Sequence, residues 1–132
     1  MSLVYVALGS NLGDPRQQVL DAVDALARLD GTRLRQRSSL YRTPPWGVLE
    51  QPPFINAVVE LDTELSPHAL LDALLAVEAS HCRGRAALNG PRTLDLDIVL
   101  YVDRVVDEPV LRIPHPRAHE RAFVKFWSSL TD

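Results

Sequence analysis

The sequence is poor in cysteine and in aromatic residues, and it contains no long hydrophobic run. Cys82 is the only cysteine among 132 residues, which excludes an internal disulfide framework and a zinc site built from several cysteines. No apolar segment approaches the roughly 20 residues that a membrane-spanning helix needs, so we expect no membrane partner. The first residues lack the basic flank of a signal peptide, and we therefore expect a cytoplasmic protein.

An excess of positive charge is also lacking. The formal net charge is −3, so there is no overall positive field that would attract nucleic acid. With 46% hydrophobic and 23% charged residues, the composition is that of an ordinary globular protein. A chain of 132 residues suffices for one domain with a buried core. We expect a single monomeric domain over residues 1–132 that binds no nucleic acid.

Hydrophobic alternation typical of strands and the periodicity of helices follow each other along the chain. Strands are predicted at 3–8, 32–43, 54–63 and 94–102, and helices at 14–29 and 66–82. Asp14-Pro15 and Ser66-Pro67 each provide an N-cap residue followed by proline at the first helical position. The order strand, helix, strand, strand, helix, strand is the split βαβ pattern of an α+β ferredoxin-like sandwich, with helices packed on an antiparallel sheet.

The last predicted strand is the clearest one, and it carries two carboxylates. One face is expected to be a core stripe made of Leu94, Leu96, Ile98, Leu100 and Val102. Asp95 and Asp97 fall on the other face, about 6.6 Å apart by strand rise alone. Two carboxylates this close repel unless a cation lies between them or one takes up a proton. The pair therefore predicts either a magnesium site that holds phosphate groups or, as the bare motif also allows, solvated acids on an exposed strand.

Three other segments bear on function. Phe54 and Asn56 share one face of their strand and offer a stacking surface beside an amide that can both donate and accept hydrogen bonds.

The proline-rich segment 43–53 with Trp46 is either a rigid loop that lines a ligand site or a connector. Three arginines on one face of segment 32–43 (Arg33, Arg35 and Arg37) predict an exposed or edge strand, with a nucleic-acid groove as the alternative.

The polar and aromatic residues expected around the acidic strand include metal ligands, phosphate-binding cations and stacking surfaces. They are Asp95, Asp97, Arg83, Arg85, Arg92, Arg121, His115, Phe54, Phe123, Trp46 and Asn56. The set contains no persuasive general base and no nucleophile. Phosphoryl transfer fits such a set, because that reaction depends mainly on positioning and charge neutralisation. The residues thus predict magnesium-dependent transfer from a nucleotide to a flat, polar acceptor that stacks on aromatic rings.

Five motifs occur in the order found in one known family. They are Gly9-Ser10-Asn11-Leu12-Gly13, Tyr41-Arg42-Thr43-Pro44-Pro45, Phe54-Ile55-Asn56-Ala57, the segment from Gly90 to Ile98, and Pro114-His115-Pro116-Arg117. On these motifs, residues 3–124 closely resemble the 6-hydroxymethyl-7,8-dihydropterin pyrophosphokinases of the folate pathway. The segment from Gly90 to Ile98 is the most specific of the five.

The resemblance implies that ATP gives its β,γ-pyrophosphoryl group to the hydroxymethyl oxygen of the pterin and leaves as AMP. It implies that Asp95 and Asp97 bind two Mg²⁺ ions, and that Arg92 and a loop residue, Arg83, act in catalysis. The implied pterin site consists of Thr43, Pro44, Trp46, Phe54, Asn56 and Phe123. The implied ATP site consists of Glu78, Arg85, Arg92, Ile98, His115 and Arg121.

The chain departs from the family pattern at Asn89, where an aromatic residue is common, at Arg112, and in a tail that is shortened or altered after about residue 124. Two alternatives to the enzyme therefore stay open. One is a ferredoxin-like module that binds a nucleotide or RNA without catalysis. The other is a catalytically weakened relative of the enzyme.

Overall fold

A computed structural model describes residues 1–11, 13–43, 54–81, 94–102, 105–109 and 111–113. Within these ranges the elements follow in the order β1 (Ser2–Ser10), α1 (Pro15–Ala27), β2 (Thr32–Arg37), β3 (Tyr41–Thr43), β4 (Phe54–Thr63), α2 (Pro67–His81), β5 (Asp95–Tyr101), β6 (Val106–Glu108) and β7 (Leu111–Ile113). Neither helix is long and apolar enough to cross a membrane within these described ranges.

The main sheet is antiparallel, with strand order β2-β4-β1-β5. Strand β3 pairs with β4 beyond the end of β2, and β6 and β7 form a separate hairpin. Both helices pack on one face, where Val19 and Leu26 of α1 and Leu70 and Leu74 of α2 share a core with the strands. The predicted α+β ferredoxin-like sandwich is confirmed, because this order places β1 and β4 in the centre and pairs every neighbour in the antiparallel sense.

The central strand β4 shows the alternation that the sequence predicts. Ile55, Ala57, Val59 and Leu61 face the helices and belong to the main core. Val58 lies on the opposite face with Ala7 and Val99, in a smaller apolar cluster beside Tyr5 and Tyr41. We call this second side, which also carries Asn56 and Glu60, the site face.

Strand β5 departs from the predicted alternation after Ile98. Its register against β1 shifts between Tyr5, which pairs with Leu100, and Val6, which pairs with Ile98. Val99 lies between these two pairs and has no partner residue in β1, so it forms a bulge. Such a bulge reverses the side on which each later residue lies. Tyr101 therefore enters the main core, where its hydroxyl donates to the carbonyl of Leu65 at 2.8 Å. The prediction that Leu100 and Val102 belong to the core stripe is wrong: Leu100 packs on the site face and Val102 is exposed.

The stretch predicted as one strand over 32–43 is two strands, β2 and β3, separated at Ser38. Ser38 is buried, and its hydroxyl accepts a hydrogen bond from the Val58 N–H at 2.9 Å. The Ser38 N–H donates in turn to the Val58 carbonyl, also at 2.9 Å. Ser38 therefore provides hydrogen-bond partners for the N–H and C=O groups of Val58 at the position where the pairing of β2 with β4 has ended.

Two of the three arginines of β2 form ion pairs, and Arg37 donates to the Ser38 carbonyl at 3.0 Å. Arg35 lies 3.0 Å from Asp62 and 3.2 Å from Glu60, and Arg33 lies 3.6 Å from Asp62. The hydrogen bonds that Arg35 donates to Asp62, and then to Glu60, raise the pKa of its guanidinium above the ordinary value. Strand β2 is an edge strand, as predicted, and acids of β4 pair with two of its three arginines.

The predicted helix starts are confirmed by their caps. The Asp14 carboxylate accepts from the Gln17 N–H at 3.3 Å, and the Ser66 hydroxyl accepts from the Ala69 N–H at 3.2 Å. Helix α1 ends at Ala27, two residues earlier than predicted. Gly31, at φ 67°, makes the turn into β2, and this left-handed conformation is one that glycine adopts without a steric penalty.

Candidate active site

Four residues from four strands form one row across the site face. Strand pairing sets Tyr41 of β3 beside Asn56 of β4, Asn56 beside Gly9 of β1, and Gly9 beside Asp95 of β5. Side chains of directly opposite residues lie on the same face of an antiparallel sheet. An amide and a carboxylate therefore flank a glycine at the centre of the sheet.

Asp95 and Asp97 lie on the same side of β5. The residue between them, Leu96, is buried in the main core beneath the helices, whereas both aspartates are only partly buried. Asp97 pairs with Ala7, whose side chain belongs to the apolar cluster on the site face. The two carboxylates thus project together from the site face, as the sequence predicts.

Mg²⁺ suits this pair of acids. It prefers oxygen ligands, and it commonly uses one or two carboxylates together with water and substrate phosphates. The described residues contain no cluster of three or more histidine, cysteine, aspartate or glutamate side chains that could form an all-protein metal cage. Within that part of the chain, the donor set therefore fits a magnesium ion shared with phosphate better than a closed structural metal site.

Phe54 and Asn56 also lie on the site face, on the opposite side of β1 from the acids. Asn56 is buried, with 8% of its surface exposed, and its amide nitrogen lies 3.4 Å from the Phe54 carbonyl oxygen. Phe54 is partly buried at the start of β4. A flat polar ligand above this end of the sheet would have an aromatic surface and a fixed amide within reach.

Glu78 of α2 connects the helix layer to the acidic strand. Its side chain is buried, and its carboxylate accepts a hydrogen bond from the Leu96 N–H at 2.7 Å. A charged acceptor makes this bond stronger than one between neutral groups. Because Leu96 separates Asp95 from Asp97, this bond holds the main chain of β5 at the point where both acids project.

Ile98 has its side chain in the main core, with 5% of its surface exposed. Leu96 directs its N–H away from β1 and towards Glu78. Along an antiparallel strand, successive residues direct their N–H and C=O groups alternately to one neighbouring strand and to the other side. Ile98, two residues further on, therefore directs its N–H to the same outer edge of β5. Any ligand that Ile98 binds would meet its main chain rather than its side chain.

Other residues predicted for the site fall outside the described ranges. They are Pro44, Trp46, Arg83, Arg85, Arg92, His115, Arg121 and Phe123. Thr43 is described only through its main chain, which pairs with Phe54. The predictions for these residues therefore stay predictions.

Comparison with known proteins shows the family of this chain. Residues 5–129 match the family model described as 7,8-dihydro-6-hydroxymethylpterin-pyrophosphokinase (HPPK). A 2-amino-4-hydroxy-6-hydroxymethyldihydropteridine pyrophosphokinase of Pseudomonas aeruginosa is 51% identical over 123 residues, which cover 93% of this chain and 76% of that protein. Proteins of the same name from Methylorubrum extorquens and Haemophilus influenzae are 45% and 44% identical, each over 94% of this chain and 78% of the relative.

A fungal relative contains a similar sequence within a larger protein. The folic acid synthesis protein fol1 of Schizosaccharomyces pombe is 42% identical over 122 residues, which cover 92% of this chain but 17% of the fungal protein. The family model spans nearly the whole chain, and the bacterial relatives are similar over most of their own length. The chain therefore belongs to the 7,8-dihydro-6-hydroxymethylpterin-pyrophosphokinase family.

Proposed function

We propose that this protein transfers the pyrophosphoryl group of ATP to 6-hydroxymethyl-7,8-dihydropterin, with Mg²⁺, and releases AMP. Pyrophosphokinase activity in folate biosynthesis is the activity of its family and of the relatives named above. The observation that carries the proposal for this chain is the shared site face of Asp95, Asp97, Asn56 and Phe54. Groups suited to a metal–phosphate complex and to a flat acceptor lie on either side of β1.

The acceptor and the nucleotide would meet above Gly9. Phe54 would stack on the pterin ring and Asn56 would bind its polar edge. The other residues of the pterin site in this proposal are Thr43, Pro44, Trp46 and Phe123. The hydroxymethyl oxygen would then point across β1 towards the acids of β5. Holding two substrates in one orientation is a large part of the rate enhancement available to a reaction of this kind.

In the transfer, the hydroxymethyl oxygen forms a bond to the β-phosphorus of ATP. The bond between that phosphorus and the oxygen shared with the α-phosphate breaks, AMP leaves with this oxygen, and the hydroxyl proton passes to solvent. Asp95 and Asp97 would hold Mg²⁺, two ions in our proposal, whose charge neutralises the phosphate oxygens. Arg83, Arg92 and His115 would add further positive charge around the phosphates.

The nucleotide would lie along the outer edge of β5. Glu78 fixes the main chain there through Leu96, and Ile98 directs its N–H to the same edge. An adenine ring has both donors and acceptors at its edge, so a strand edge suits it. Arg85 and Arg121 complete the ATP site in this proposal.

The alternative of an RNA-binding module rests on Arg33, Arg35 and Arg37 of β2 and on the aromatic residues Phe54 and Phe123. Two of these arginines, Arg33 and Arg35, are within ion-pairing distance of Asp62 and Glu60, which argues against their binding a nucleic-acid backbone. The acids on the site face would also repel a nucleic-acid backbone. We therefore propose a protein that binds ATP and the pterin, and no nucleic acid.

A direct test measures AMP formation from ATP and Mg²⁺, with and without the dihydropterin. We expect AMP and pterin diphosphate to form in equal amounts, and only when the acceptor and the metal are both present. Slow release of ADP or phosphate without the acceptor would indicate a different nucleotide reaction. No AMP under any condition, with ATP still bound, would favour the weakened relative.

A further inference from the structure

Gly9 lies in the middle of the site-face row, yet its backbone does not require glycine. Among the described residues, only Gly13 and Gly31 have a positive φ. Glycine inside a strand weakens it, because glycine loses more conformational freedom on folding than any other residue and offers no side chain for packing. A different reason is needed for a glycine between Leu8 and Ser10, which are both buried.

That reason is the space that Asn56 occupies. A Cβ atom placed on Gly9 would lie 3.1 Å from the Oδ1 atom of Asn56, closer than a methyl group normally approaches oxygen. It would lie 3.8 Å from Cδ1 of Phe54, an ordinary van der Waals distance. Alanine at this position would therefore displace the amide by a few tenths of an ångström and leave the ring in place.

The strand pairing explains why the approach is so close. Val58 exchanges its main-chain hydrogen bonds with Ser38, so it directs them away from β1. Asn56 is two residues away on the same strand, so its N–H and C=O groups also point away from β1. Asn56 and Gly9 are therefore a non-hydrogen-bonded pair. Side chains in such pairs lie closer together than in hydrogen-bonded pairs.

We propose that Gly9 is a positioning residue for the acceptor substrate: its missing side chain allows the Asn56 amide to lie over β1, where it can bind the polar edge of the pterin. This inference rests on the proposed function, because it takes the pterin as the ligand of Asn56. Gly9 itself supplies no group to the reaction.

Gly9→Ala tests the inference. Losing the alignment of one hydrogen bond should raise the Kd and the KM for the dihydropterin about five- to tenfold. The KM for ATP should change less than about twofold. The melting temperature should stay close to that of the wild type, because alanine restricts the unfolded chain more than glycine does and this gain offsets the cost of displacing the buried amide. A glycine needed only for folding would instead give a lower melting temperature and an unchanged KM for the acceptor.

A double-mutant cycle with Asn56→Ala removes the atom that the new methyl group would meet. In the Asn56→Ala background, Gly9→Ala should change the Kd for the dihydropterin less than about twofold. If Gly9→Ala alone does not fold, the double variant should fold, since the contact with Oδ1 is gone. Independent effects in the cycle, or a double variant that also fails to fold, would overturn the inference.

Ala7→Gly serves as the matched control, because Ala7 lies on the same strand and face, beside Val58. It should lower the melting temperature without changing the KM for the acceptor. A change in that KM as large as for Gly9→Ala would contradict a specific role of Gly9. The wild-type assay separates the two proposals. No AMP formation would refute the proposed function, whereas an active wild type with an unaffected Gly9→Ala variant would refute only the role of Gly9.

Discussion

The carboxylate of Glu78 accepts a hydrogen bond from the main-chain N–H of Leu96 at 2.7 Å, and both groups are buried. A residue of α2 thereby fixes the strand from which two catalytic candidates project on the opposite face. We expect Glu78→Leu to lower the free energy of unfolding by about 1–3 kcal/mol, because it leaves the Leu96 N–H without its acceptor. Urea denaturation measures this loss.

Glu78→Gln keeps an acceptor but removes the charge, so its loss should be smaller, at about 1 kcal/mol. Asp72→Asn, at an exposed position of the same helix, is the control and should stay within about 0.5 kcal/mol of the wild type. We also expect Glu78→Leu to raise the Mg²⁺ concentration needed for half-maximal activity. A Glu78→Leu variant as stable as the Asp72→Asn control would show that the bond does not anchor β5.

Ser38 should matter for stability more than its position in a short connection suggests. Ser38→Ala removes the acceptor of the buried Val58 N–H and should cost about 1–3 kcal/mol in denaturant unfolding. Ser39→Ala is the matched control, because Ser39 is exposed and uses its main-chain carbonyl to accept from Ser38. Equal stability of the two variants would contradict a role for the Ser38 hydroxyl in joining β2 and β3 to β4.

The ion pairs of β2 should contribute to stability and nothing to catalysis. Arg33 and Arg35 are 71% and 45% exposed, whereas Asp62 and Glu60, the acids that they contact, are only 14% and 8% exposed. Removing both arginines leaves two largely buried acids without their cations, so the melting temperature should fall. We expect the double variant Arg33→Ala/Arg35→Ala to keep wild-type kcat and both KM values. Gel-shift titration of the wild type against RNA should show no salt-dependent binding. If the wild type binds RNA and the double variant does not, the RNA-binding alternative would be supported.

The sequence predicts most of the fold because the hydrophobic periodicity of its longest elements is regular. Strand β4 alternates as expected over its whole length, and both N-caps lie at the predicted residues. The bulge at Val99 was beyond prediction, since Val99, Leu100 and Tyr101 are all apolar enough for either face. Pairing with β1, rather than any local preference, decides which of them enters the core.

The site was predicted less completely than the fold, for a related reason. Asp95, Asp97, Phe54 and Asn56 could be assigned to one face of their strands because alternation within a strand is local. The approach of Gly9 to Asn56 and of Glu78 to Leu96 depends on which strands and helices become neighbours. Gly9 lies just beyond the strand predicted at 3–8 but inside β1, which continues to Ser10. A glycine within a strand is the local signal that indicates a close approach, and the short predicted strand concealed it.

The proposed magnesium site depends on the acid pair of β5, and AMP formation from ATP and the dihydropterin during a Mg²⁺ titration tests whether these two acids hold the metal. Asp95→Asn and Asp97→Asn keep the shape of the side chain and remove its charge, and Asp72→Asn is the control. We predict that each of the first two lowers kcat/KM at least about a hundredfold and that Asp72→Asn has no effect. Wild-type rates and unchanged Mg²⁺ dependence in Asp95→Asn and Asp97→Asn would show that these acids do not hold the Mg²⁺ used in the reaction.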